Sequence, residues 1–192
     1  CEEVGRGLGI DAALVLPSTT GLIGVPLPMR NVKRGIRKAI GELSAESFLI
    51  AAEATTTTDR FIKVSATTCV LGRRRVAIAG MVKGAGMVAP NMATMLAYIL
   101  TDAAVEPACL RSILRQAVDV TFNAVTVDGD MSTNDTVLLL ANGLAGNPPV
   151  RSGSREARVF YRAALKVMKE LALKLVEDGE GATKVVEIHV EG

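Results

Sequence analysis

The chain has 192 residues, 49% of them hydrophobic but only 3% aromatic, and no tryptophan. That length suits one ordinary domain or part of a larger protein, with a core of Val, Leu, Ile, Ala and Met in close-packed sheet and helix layers. Lys and Arg total 22 against 20 Asp and Glu, a formal charge of +2, which by itself says little, since a non-specific nucleic-acid binder normally shows a strongly basic stripe.

The short basic clusters "RNVKRGIRK" (30–38) and "GRRR" (72–75) lack interleaved aromatics and read as solvated faces. Cys1, Cys69 and Cys109 have no CxxC spacing, which argues against a disulfide framework or zinc site and makes a reducing compartment the default. No apolar run approaches about 18 residues, and no basic flank with an apolar segment opens the chain. The expectation is a soluble, cytoplasmic protein without a membrane partner. The first residue is Cys, "CEEVGRGLGI" reads as the tail of a helix already under way, and "KVVEIHVEG" stops at the end of a strand. An excerpt of a longer protein is therefore expected.

In chain order, "DAALVLPSTTGLIGVPLPM" (11–29) begins as a short apolar strand and breaks into a loop crowded with Pro, Gly and Thr. "NVKRGIRKAIGEL" has helical spacing weakened by Gly35, and "SAESFLIAAEATTTT" reads as a helix starting at Ser44 or Ser47. "FIKVSATTCVLGRRRVAIAGM" predicts a hairpin about a Gly-Arg turn, and "TMLAYIL" (94–100) a buried strand. "EPACLRSILRQAVDVTFNAV" predicts a helix with Pro107 at its first position. "TVDGDMSTNDT" (126–136) is a polar turn, "VLLLANGL" a buried strand and "NPPVRSGS" a linker. Apolar pairs recur every four residues over 155–177, as in a long amphipathic helix stopped by Gly179 or Gly181. The terminal segment alternates as a strand carrying the lone His189. This order lacks the regular beat of a doubly wound fold and fits an α/β layered sandwich of helices on mixed sheets.

Individual motifs read blandly at first. "KGAGM" (83–87) is neither a phosphate loop nor a dinucleotide turn, and tight-turn geometry explains its glycines. "DGDMSTND" fails the EF-hand pattern, since position 12 from Asp128 is Leu139; Asx and Ser/Thr capping of a turn is favoured, and no metal is assigned. His189 without a nucleophile elbow makes no hydrolase triad. Thr94 is ordinary for a strand. Cleavage of the Ala93–Thr94 bond would change that, because a new α-amine with a pKa of about 7.7–8.0 could serve as base for the Thr94 hydroxyl.

Four ordered motifs, "VKGAGMVAPNMATMLAYILTDA", "TVDGDMSTNDT", "STTGLIGVPLP" and "DGEGATK", closely resemble the ornithine acetyltransferase (glutamate N-acetyltransferase) family of arginine biosynthesis. The resemblance implies helices outside two β layers and a precursor that cleaves itself between Ala93 and Thr94. Residues 1–93 would then form the C-terminal part of an α-chain region, and residues 94–192 the N-terminal part of a β-chain region. It makes Thr94 the acetyl-accepting nucleophile, Thr20 and Gly21 the oxyanion-stabilising pair, and Thr57, Lys83 and Glu180 substrate-binding residues alongside Thr94. The implied reaction is ping-pong transfer from N2-acetylornithine to glutamate without metal or redox cofactor; some members also use acetyl-CoA. Cleaved α and β chains would assemble as a heterotetramer. This chain reads "TTDR" at 57–60 where the family usually reads "TTDT", and the resemblance implies further chain on both sides. A related N-terminal-threonine amidase or aminopeptidase, or a non-catalytic truncated fragment, are the rival expectations.

Overall fold

The elements were located in a computed structural model that describes residues 1–89 and 95–191. Two units divide the chain, Cys1–Ala51 and Ala52 onward. The first unit holds α1 (Glu2–Leu8) and α2 (Met29–Gly41). Arg37 of α2 donates to Glu3 of α1 at 2.6 Å, an exposed pair of small energetic weight. The strand expected from residue 11 is instead a 3-10 turn, Ala12–Leu14, because the Asp11 carboxylate caps the Ala13 N–H at 2.9 Å. A side-chain acceptor at that position favours a helical turn over an extended one. Residues 15–28 are irregular, as their Pro and Gly content predicts. Ser44 likewise caps the turn that leads into α3 (Phe48–Ala54), within which the unit boundary falls.

The second unit is built on four strands, β1 (Lys63–Leu71), β2 (Arg74–Lys83), β3 (Leu96–Thr101) and β4 (Thr136–Ala141), in that spatial order. The first three run antiparallel; β4 joins β3 in parallel, the two connected through α4 (Pro107–Asp119). The β1–β2 hairpin turns at Gly72, whose φ of 63° lies in the left-handed region that suits glycine. Pro107 occupies the first turn of α4, where its missing N–H removes no helical bond. After Ser154, whose hydroxyl caps the Ala157 N–H, α5 (Arg155–Glu177) crosses the sheet with a buried stripe that includes Phe160, Val167, Met168, Leu171 and Leu175. Each such large side chain stabilises the fold by roughly 1.5–3 kcal/mol.

The stripe packs on Val76, Ile78, Val82, Ala97 and Ile99 of the strands. Gly80 permits the approach, since a Cβ there would lie 2.8 Å from Leu171 Cδ1. The α/β class, with helices layered on a mixed sheet, is therefore present. The described residues form one sheet. Its other face carries Ala66, Ala79, Leu100 and Leu140 in register, and Leu100 and Leu140 are 36% and 45% exposed.

Two local expectations are corrected. "NPPVRSGS" is more than a linker: Asn147 is buried and pairs with both the N–H and C=O of Ala104, while Val150 bridges Val105. Residues 184–191 form no strand. Alternation supplies a strand's faces but not its partner, and no described edge pairs with this segment, so Val186, Ile188 and Val190 lie exposed. His189 is on the surface, with Glu187 3.2 Å away.

Candidate active site

The end of β2 delivers Lys83 into the interior, where it is 4% exposed. Its ammonium donates to Thr57 Oγ1 at 2.9 Å, joining two residues 26 apart in sequence. Burial lowers the Lys83 pKa; Asp59 and Glu180 oppose that effect and Lys63 adds to it. Past Lys83 the chain turns at Gly84 and Gly86. Glu180, which follows α5, lies against this turn: its N–H donates to Ala85 O at 2.7 Å, and a Cβ on Gly86 would meet the Glu180 carboxylate at 3.0 Å. A glycine at 86 thus leaves the space that the carboxylate occupies.

Beneath these groups lies a buried charge network. The Lys63 ammonium, fully buried at the start of β1, donates to Asp59 Oδ1 at 2.6 Å and to Asp178 Oδ2. Asp59 also accepts from the Gly84 N–H at 2.8 Å and the Thr57 N–H at 3.0 Å. Asp178 accepts the Arg60 N–H and, at 2.9 Å, its Nε. Burial would raise both aspartate pKa values, but the hydrogen bonds and the Lys63 charge outweigh it and hold them below the ordinary carboxylate range. The loop carrying Thr57 and the loop carrying Glu180 are therefore tied together by one lysine. Arg60, the departure from the usual motif, takes part by clamping Asp178 and the Glu177 carbonyl.

The platform residues Asp59, Arg60, Lys63 and Asp178 were not singled out from the sequence. A signal existed: Lys63 shares the inward parity of β1 with Leu71, an unusual place for a cation unless it is paired. The structure brings Thr57, Lys83 and Glu180 into one region of the second unit. Thr20, half-buried, and Gly21, exposed, belong to the irregular loop of the first unit. Ala93 and Thr94 lie outside the described residues.

The acidic turn at 126–136 is stitched by Asx and Ser contacts, as expected: Asp128 accepts the Asp130 N–H, and Ser132 bonds Asn134. It also reaches the neighbouring loop. Asp128 accepts the N–H groups of Met87 at 2.6 Å and Val88 at 2.9 Å, and Asp135 Oδ1 accepts that of Met95 at 2.8 Å. Burial pushes the Asp135 pKa up to about 6 against the pull of the Met95 N–H and the nearby Ser132 hydroxyl.

The sequence model of the ArgJ family matches residues 1–192, and the chain belongs to that family. It is 53% identical over 187 residues to the arginine biosynthesis bifunctional protein ArgJ of Symbiobacterium thermophilum, covering 97% of this chain and 46% of that protein. To the ArgJ protein of Geobacter sulfurreducens it is 49% identical over 189 residues, covering 98% and 48%. The chain thus spans about half the length of the curated relatives it matches. The crystal structure of ArgJ from Bacillus halodurans aligns with a TM-score of 0.44 and 40% identity, over 45% of this chain and 41% of that one. No helix among the described residues is long and apolar enough to cross a membrane.

Proposed function

We propose that this chain is part of an ornithine acetyltransferase that moves an acetyl group from N2-acetylornithine to glutamate through an acetyl-threonine at Thr94, in arginine biosynthesis. The observation that carries the reading is the joint placement of Lys83, Thr57 and Glu180, in a chain that belongs to the ArgJ family. Asp59 and Asp178 each have both oxygens engaged, whereas Glu180 forms no side-chain hydrogen bond or ion pair of its own among the described residues. Glu180 is the carboxylate left for a substrate ammonium, and Lys83 the cation left for a substrate carboxylate, a division that suits an acylated diamino acid and glutamate alike.

In this reading the Thr94 hydroxyl first attacks the Ala93 carbonyl carbon. The amide C–N bond breaks, its nitrogen keeps the hydroxyl proton, and water hydrolyses the resulting ester to leave an Ala93 carboxylate and an N-terminal Thr94. The freed α-amine then takes the Thr94 hydroxyl proton as Oγ attacks the acetyl carbonyl, and returns it to the departing ornithine nitrogen. Glutamate's amine next attacks the ester and carries the acetyl group away, regenerating Thr94. Thr20 and Gly21 stabilise the oxyanion at both stages, a contribution of about 10²- to 10³-fold in rate per donor. No step passes through a metal or redox cofactor. Acetyl-CoA as a second donor, a heterotetramer of cleaved chains and a cytoplasmic location belong to the same reading.

Intact-mass measurement on the full chain tests it. Wild type is expected as two fragments split at Ala93–Thr94, with one acetyl group on the Thr94 fragment after exposure to N-acetylornithine; Thr94→Ala is expected to stay whole. A folded wild type that remains whole sinks the mechanism. Cleavage followed by acetate release, with no transfer to glutamate, would make the protein an amidase instead.

A further inference from the structure

Lys83 pairs with Leu96 across β2 and β3, so the chain leaves the sheet at one and re-enters at the other. The connection, residues 84–95, is long for two antiparallel neighbours, which are usually joined by 2–5 residues. Its described parts are gripped on either side of residues 90–94 by one element, the acidic turn at 126–136. On the upstream side, Asp128 accepts the Met87 and Val88 N–H groups, while Thr126 Oγ1 and the Val127 N–H both donate to Val88 O at 2.8 Å. On the downstream side, Asp135 accepts the Met95 N–H and the Thr136 N–H donates to Met95 O at 3.1 Å.

One residue at each grip departs from ordinary geometry or pairing. Met87 holds a φ of 52°, rare for a residue with a side chain. Asp135 Oδ2 is buried with no hydrogen-bond partner among the described residues. A carboxylate in that condition is costly for the fold, and burial has moved its pKa to about 6. Simple turn capping would need neither feature.

We infer that Asp128 and Asp135 are positioning residues for the Ala93–Thr94 bond, each holding the main chain on one side of it. The inference rests on the self-cleavage reading given above. Attack of a threonine hydroxyl on the preceding carbonyl needs a bent, fixed main chain, and misplacement by about 1 Å can cost about a hundredfold in rate. Two grips from a single turn set the separation and direction of the two flanks, Val88 and Met95.

The experiment follows cleavage of the full chain by intact mass over time, with melting temperature recorded for every variant. Asp128→Ala and Asp135→Ala are expected to slow cleavage by about ten- to a hundredfold. Asp135→Asn keeps an acceptor for the Met95 N–H and is expected to cleave within about threefold of wild type. Asp130→Ala, in the same turn but without a grip on either flank, should cleave normally. Where Asp128→Ala fails to fold, the Asp135 pair decides alone.

Folded alanine variants that cleave at the wild-type rate overturn the inference. So does Asp135→Asn cleaving as slowly as Asp135→Ala, which would make the carboxylate a proton carrier rather than an anchor. A wild type that never cleaves sinks the function reading as well, whereas cleavage indifferent to both aspartates sinks only this inference.

Discussion

Lys83 has a dual character, because the burial that aims its ammonium at Thr57 also weakens the charge. Desolvation disfavours the charged form, and the fields of Asp59 and Glu180 only partly restore it against Lys63. A substrate carboxylate needs the protonated amine. Because the folded pKa lies below the ordinary lysine value, the proposed acetyl transfer predicts that KM for glutamate begins to rise with pH earlier than an exposed lysine would allow. Lys83→Met is expected to raise KM about 10- to 100-fold at neutral pH, the worth of one hydrogen bond to a charged group. It should also abolish the alkaline rise while leaving the proposed cleavage at Ala93–Thr94 intact. Steady-state kinetics across the alkaline range check this; a Lys83→Met enzyme with the wild-type alkaline limb would remove Lys83 from substrate binding.

At the scale of elements, the junction of β1, the Thr57 loop and the end of α5 depends on Lys63. Breaking a buried ion pair by deleting one partner costs about 3–5 kcal/mol, because the remaining charge is left uncompensated. Lys63→Met leaves the fully buried Asp59 without an ion-pair partner among the described residues, while the buried Asp178 keeps only Arg60. Its melting temperature is expected to fall by about 10 °C. Adding Asp59→Asn should recover part of the loss by removing the stranded charge, and calorimetry on the single and double variants reads the difference. The elements themselves were legible: the hairpin, α4 and α5 follow from alternation and from the four-residue recurrence of apolar pairs, patterns fixed by local geometry. The platform was not, because Asp59, Lys63 and Asp178 meet across more than a hundred residues, with Lys63 and Asp178 115 apart. No spacing rule reports such a meeting. Thr57, Lys83 and Glu180 were singled out by motif resemblance rather than periodicity, and the strand expected at 184–191 shows the opposite failure, an alternating pattern without an edge to join among the described residues.

For the molecule as a whole, the asymmetry of the sheet matters most. One face is sealed by α5 and α4, whereas the other presents Ala66, Ala79, Leu100 and Leu140 in a row across four strands, with Val70 61% exposed at the β1 edge. Contiguous apolar surface of this kind mediates association when nothing covers it. The chain spanning residues 1–192 is therefore expected to self-associate in a concentration-dependent way. Replacing Leu140 with Lys, on the β4 edge where a charge also blocks edge pairing, should shift it toward monomer. Because Leu140 is already 45% exposed, the substitution removes little buried area and the melting temperature should change by only a few degrees. Sedimentation velocity with paired thermal melts measures both quantities. A chain that is monomeric at every concentration, with or without the lysine, would show that this face is not adhesive on its own.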